Sequence, residues 1–197
     1  MYMSRVFAQK ERIINATPDK VFALVSDYTV QRPRILTPNF QNYTVEKGGQ
    51  GSGTVIHYVL EAAGRRRAYH MRVDEIVRGR ILTERDSNST LVTTWNVQPM
   101  RGGQKSKVRV TSEWEGGSGT KGFFERIFAP LGLRRIYGSM LESLVGLLNV
   151  SDEEVPAVQG KEYSPSQNTA AFLALFGAVV AVALAISLLQ RKQAKNA

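Results

Sequence analysis

Ile13-Ile14-Asn15-Ala16-Thr17-Pro18-Asp19-Lys20-Val21-Phe22-Ala23-Leu24-Val25-Ser26-Asp27 is where the chain declares its first change of structure. Up to Asn15, from Ser4, apolar Val6, Ala8, Ile13 and Ile14 sit among polar residues, which predicts a strand. Thr17-Pro18-Asp19 then predicts a helix start: Thr17 as N-cap, Pro18 at the first helical position, an acid in the first turn. Val21, Phe22, Leu24 and Val25 supply the apolar stripe, and Asp27-Tyr28 ends it. A second helical stretch is kept brief by Pro33 and Pro38.

Outward from there, the segments 40–47, 53–62, 67–76, 80–86, 90–98 and 106–115 are rich in Val, Ile, Thr, Tyr and Trp, and Gly, Asn or Ser clusters separate them. That pattern predicts an antiparallel meander. A two-residue turn at Gly64-Arg65 would pair residues whose numbers sum to 129: Ile56 with Val73, Tyr58 with Met71, Leu60 with Tyr69. One face is then apolar or aromatic, and the other carries His57, Glu61, His70, Arg72 and Asp74; a slip by one residue would destroy the sorting. Glu75 falls on the apolar side unless a bulge near Arg78-Gly79 turns it out. In the last strand Val108, Val110, Ser112 and Trp114 share a face. After Gly116-Gly117-Ser118-Gly119 the period becomes helical, with Phe123, Phe124, Ile127, Phe128, Leu131, Ile136, Met140, Leu144 and Leu148 on one side. Pro130 and Gly132 predict a kink or a division near Ala129.

The whole chain has 197 residues and no cysteine, which removes disulfides, thiolate metal sites and cysteine nucleophiles. With two histidines, His57 and His70, no histidine-rich metal site is expected, and no cofactor. Residues 1–150 hold 22 Lys+Arg against 13 Asp+Glu. The residues 151–168 are acidic, Pro- and Ser-containing and aperiodic, which predicts a flexible spacer. No basic helix or zinc-finger pattern supports a nucleic-acid partner. Arg65-Arg66-Arg67 falls in a hairpin turn and is a candidate contact for acidic lipid headgroups.

From Ala170 to Leu189 twenty residues pass without a charge. As a helix they reach roughly 30 Å, a bilayer's hydrocarbon thickness. The expected organisation is therefore a domain over 1–150, the spacer, a transmembrane helix over 169–190 and a basic tail over 191–197. No long apolar run follows Arg5, Lys10 and Arg12, so a tail anchor with the domain on the cytoplasmic side is expected, although Arg191, Lys192 and Lys195 point the other way by the positive-inside rule. Gly177, Ala181 and Ala185 form a small-residue stripe through which anchors could pair weakly.

The order strand, helix, helix, six-stranded meander, long helix resembles the helix-grip fold of the START-like (SRPBCC) superfamily, which includes polyketide cyclases, lipid-transfer START domains and birch-pollen-type allergens. Residues 13–27 look like the family's opening "strand, A-x-P-x-x-V-(F/W)-x-x-(V/I)-x-D", and Gly48-Gly49-Gln50-Gly51-Ser52-Gly53-Thr54 is similar to the allergen branch's glycine loop. That loop runs into a strand and lacks Gly-Lys-(Ser/Thr), so it is no phosphate-binding loop. The resemblance covers nearly all of residues 4–149. It implies an α+β fold in which a curved antiparallel sheet of about seven strands grips the last helix around a cavity for a lipid or other hydrophobic small molecule. The expected cavity residues are Tyr58, Tyr69, Met71, Trp95 and Trp114 from the sheet and Phe124, Phe128, Tyr137 and Met140 from the helix, with Gly49, Gly51 and Gly53 as a mobile rim. No catalytic residue carries over. The rival readings are a cyclase or dehydratase, which needs an acid or base in the cavity where only tyrosines and Glu75 are expected, and an interaction module with a collapsed cavity.

Overall fold

The structure, a computed structural model, describes residues 5–62, 64–116 and 119–153, and in the last stretch the side chains of 129–149. The chain divides into two compact units, Met1–Pro156 and Ala157–Ala197, and every described residue lies in the first. The expected transmembrane helix over 169–190, most of the spacer and the tail lie outside the described residues. Among the described residues no helix is long and apolar enough to cross a membrane.

Seven strands form one antiparallel sheet: β1 (Arg5–Ile14), β2 (Phe40–Lys47), β3 (Val55–Ala62), β4 (Arg65–Val77), β5 (Ile81–Asp86), β6 (Val92–Met100) and β7 (Lys105–Glu115). Their spatial order is β1-β7-β6-β5-β4-β3-β2. Two short helices, α1 (Pro18–Ser26) and α2 (Gln31–Ile35), connect β1 to β2, and α3 (Gly119–Glu153) follows β7. The opening signature works as its chemistry predicts. Thr17 is extended and its Oγ1 accepts from Lys20 N, Pro18 begins α1, and Val21, Phe22 and Val25 are buried. Asp27 closes the helix and its Oδ1 accepts from Thr29 N and Val30 N, which turns the chain into α2.

The β3–β4 register differs from the expected one by two residues. Ile56 faces Met71, Tyr58 faces Tyr69, and Ala62 faces Arg65, so the turn sits one residue earlier than Gly64-Arg65. Gly64 takes φ +71, a conformation that costs glycine little. An even shift keeps every side chain on its expected face, so Ile56, Tyr58, Met71 and Val73 are still buried together. A register shift between Glu75 and Val77 ends the alternation, and Glu75 Oε1 accepts from Gly79 N at the next turn.

The core lies between the concave face of the sheet and the helices. Val21, Val25 and Tyr28 pack with Leu82, Trp95, Val97, Val108 and Val110, and with Ile136, Met140 and Leu144 of α3. α3 lies along β1 and also touches β3, α1 and α2. Pro130 does not divide α3, which is one helix through that position. Leu131, expected on the apolar side, is exposed, while Arg134, Arg135 and Glu142 face solvent as their charge requires.

Candidate functional site

A cavity of about 710 Å³ lies between the sheet's concave face and α3. Tyr58 and Tyr69 line it from β3 and β4, Trp95 from β6, Trp114 from β7, and Tyr137 and Met140 from α3. All six were expected from alternation and helical period. Met71 is fully buried but is not among the lining residues; it is core. The side chains of Phe124 and Phe128 lie outside the described residues. Leu60 and Leu91 add aliphatic wall, and Phe40 packs edge-on against Tyr58 with ring centroids 5.1 Å apart.

The innermost part is charged. Arg32 of α2 and Glu84 of β5 both line the cavity, form an ion pair, and have side chains only 4% and 5% exposed. The Arg32 guanidinium also donates to Val25 O at 3.0 Å and lies 4.0 Å from the centre of the Trp95 ring. Tyr28 donates its hydroxyl to the same Glu84 oxygen, Oε1, at 2.8 Å. One carboxylate oxygen thus holds two donors, and Glu84 Oε2 accepts from none of the described residues. Burial alone would lower the Arg32 pKa, but the Glu84 carboxylate together with Tyr28, Tyr43 and Tyr58 outweighs it and holds the guanidinium above its ordinary value. Burial, then the Glu84 charge, pushes Tyr28 and Tyr58 well above the usual phenol range, so both are neutral.

Beside this pair, Thr93 Oγ1 and Ser112 Oγ lie 2.6 Å apart, and Ser112 in turn bonds to the Tyr137 hydroxyl. Burial pushes Tyr137 up to about 12, against the lowering effect of the Ser112 and Thr93 hydroxyls. Two further groups have no bond to a described residue: the Trp95 Nε1 hydrogen, which is buried, and the Tyr58 hydroxyl. A buried N–H without a partner is costly, so a ligand oxygen beside it would be well held.

Glu84 and Arg32 correct the expectation that only tyrosines and Glu75 could place an acid or base in the cavity. Glu84 is a buried acid there, and Glu75 instead accepts from Gly79 N at the turn. The signal was alternation in β5, where Leu82, Glu84 and Asp86 are buried and Arg85 is exposed. Arg32 gave no periodic signal in a five-residue helix.

The glycine loop does not line the cavity. Gly49 O accepts from Tyr28 N at 2.8 Å and Gly51 N donates to Ser26 O at 2.9 Å, so the loop is fastened to the α1–α2 connection, where Gly49 comes close to Thr29. Gly53 N is likewise bound, to Val73 O. Arg65, Arg66 and Arg67 are exposed and line the cavity as well, so the hairpin tip forms its mouth. His57 and His70 face each other on the outer side of the sheet. His70 Nε2 lies 2.6 Å from Glu46 and Nδ1 lies 3.2 Å from Ser87 Oγ, remote from the cavity lining. Among the described residues no group of three His, Asp or Glu side chains could hold a metal ion.

Residues 6–149 match the family described as polyketide cyclase/dehydrase and lipid transport. The KanY protein, solved by NMR in solution, is 42% identical, with a TM-score of 0.65 over 75% of this chain and 99% of that one. The fold is shared with the Zhui aromatase/cyclase of a Streptomyces species, at 15% identity and TM-score 0.60 over 80% of this chain and all 100% of that one. It is shared too with norcoclaurine synthase of Thalictrum flavum in complex with dopamine and hydroxybenzaldehyde, at 15% identity and TM-score 0.56 over 78% and 90%. Among curated proteins, none matches the chain.

Proposed function

The chain belongs to the polyketide cyclase/dehydrase and lipid-transport family, and from that premise we propose that it binds a lipid or other hydrophobic small molecule in the cavity between sheet and α3. Binding is burial of apolar ligand surface, at about 25 cal/mol per Å², with a few polar groups fixing orientation. The observation that carries the reading is the unpartnered Trp95 N–H in a wall of aromatic side chains. The Tyr58 hydroxyl, on a residue of the same lining, is a second polar group open to a ligand. Arg32, committed to Glu84 and Val25 O, holds the lining rigid around them.

The apolar run 170–189 supports a further part of the proposal: the segment 169–190 anchors the domain to a membrane through the spacer that precedes it. A domain so placed draws its ligand from, or delivers it to, the bilayer.

The chain's only two tryptophans, Trp95 and Trp114, both line the cavity, so intrinsic fluorescence reports its occupancy. Full-length protein in zwitterionic nanodiscs, titrated with the neutral probe N-phenyl-1-naphthylamine, should show saturable quenching with roughly micromolar affinity, and Tyr69→Ala should weaken it. If no apolar probe quenches saturably, the cavity reading fails and a protein-interaction role gains. Native mass spectrometry of the extracted protein should identify the natural ligand.

A second reading has one observation in its favour. The free Oε2 of Glu84 is a proton acceptor inside the cavity, which a cyclase or dehydratase needs. Glu84→Gln would then abolish turnover of the ligand identified by mass spectrometry. A ligand recovered unchanged after incubation with the native chain would sink this reading.

A further inference from the structure

Resting on the cavity reading above, we infer that the ligand is an anionic amphiphile, whose carboxylate or phosphate head is held at the mouth by Arg65, Arg66 and Arg67 while its apolar body lies inside. The sequence alone suggests that these arginines touch a membrane surface. The structure gives them a second neighbourhood, since all three line the same cavity as Trp95 and Tyr137.

Their own partners leave capacity to spare. Arg67 lies 4.0 Å from the buried Asp86 carboxylate, at the limit of an ion pair, and its guanidinium is 5.2 Å from the centre of the Tyr69 ring. Asp86 is already engaged, accepting from His70 N and Ser89 Oγ. Arg65 and Arg66 form no ion pair with a described residue. Glu61 stands opposite Arg66 in the ladder, yet its carboxylate accepts from Gln41. Among the described lining residues the other charged ones are Glu115, which is exposed, and the Arg32–Glu84 pair, which neutralises itself. Among the described residues the mouth therefore carries three guanidiniums and the carboxylate of Glu115.

Guanidiniums are planar forks that suit carboxylate and phosphate oxygens two at a time. Strand alternation puts Arg65 and Arg67 on the same face of β4 as Tyr69, and two guanidiniums side by side repel one another unless an anion sits between them. Leu60, which pairs with Arg67 in the ladder, and Tyr69 and Leu91 line the same cavity with apolar surface. An amphiphile entering body first would bury its apolar part and leave its charge where water and arginine both reach it, avoiding the cost of burying an ion. The polar groups at the inner end then select molecules with an oxygen function remote from the acid.

The test uses full-length protein in zwitterionic nanodiscs, with energy transfer from Trp95 and Trp114 to 12-(9-anthroyloxy)stearic acid and to its methyl ester. A phosphate-headed analogue, an anthroyloxy-labelled lysophosphatidic acid, forms a third arm. The acid should bind about tenfold more tightly than the ester. In the Arg65→Gln/Arg66→Gln variant, exposed positions where folding is not at stake, that preference should shrink by roughly half or more, Arg67 remaining, while ester affinity stays unchanged. Tighter binding of the phosphate probe than of the fatty acid would assign the head to a phospholipid, and the reverse to a free carboxylic acid; either supports the inference. Equal binding of acid and ester by the native chain overturns it and leaves the cavity reading intact. A variant that loses binding to anionic vesicles but keeps the preference for the acid also overturns it, because the arginines would then serve the membrane surface. Failure of all three probes to bind overturns the cavity reading itself.

Discussion

Arginine meets glutamate on both sides of this sheet, and the two meetings have opposite energetics. On the outer side Arg109 places Nε and Nη2 each 2.9 Å from the same Glu11 oxygen, with side chains 36% and 43% exposed. On the inner side Arg32 meets Glu84 with almost no exposure. Good geometry in water contributes little, because solvent already satisfies both ions and salt screens their attraction. The inner pair has lost its water, and each ion is tolerable only because the other is there. A pair so placed adds little net stability but is hard to break.

The largest effect should come from breaking the inner pair. Glu84→Gln leaves a buried guanidinium that cannot shed its proton, and should lower the unfolding free energy by about 3–5 kcal/mol. Denaturant titration of the full chain followed by near-ultraviolet circular dichroism would measure it. Replacing both partners, Arg32→Met with Glu84→Leu, should restore most of that stability. If the double variant is no more stable than Glu84→Gln, the pair is a net source of stability and the contrast with the outer pair is overstated.

A middle effect belongs to Tyr137→Phe. The variant removes one bond to Ser112 but leaves Ser112 and Thr93 bonded to each other, so a loss of about 1 kcal/mol is expected in the same titration. A loss above that of Glu84→Gln would mean that the hydroxyl chain, not the ion pair, holds the cavity wall. The smallest effect is Arg109→Ala, at roughly 0.5 kcal/mol or less, shrinking further as salt is added. Salt should leave the Glu84→Gln difference nearly untouched, and comparable salt sensitivity at the two sites would erase the distinction between them.

Local rules expressed the fold well. Thr17-Pro18 marks the start of α1 because capping depends on neighbours in sequence, and Trp95 and Trp114 point inward because strand parity is local too. The β3–β4 register was wrong by two because the turn moved by one residue, yet parity protected the faces. What stayed hidden was polar. Glu84 sits at a position that alternation marks as inward, but a carboxylate there makes sense only once Arg32, fifty-two residues earlier in the chain, is seen beside it. A short helix carries too little periodicity to reveal which way Arg32 faces. The arginines of the hairpin tip were legible as exposed, while their place at the cavity mouth depended on how the sheet curves around α3.

The order of the sheet also has a consequence for synthesis. β1 is made first, yet it pairs only with β7: Arg5 and Glu113 are 108 residues apart, and α3, which covers β1, is made later still. At a translation rate of about 5–20 residues per second, the first strand waits on the order of ten seconds for its neighbour. During that time its ladder groups and Phe7 have no partner within the chain, while β2 to β6 can zip up hairpin by hairpin as each emerges. The nascent chain therefore keeps β1 without its ladder partner longest, and the ribosome-bound form is where that strand's unpaired groups are most open to other chains.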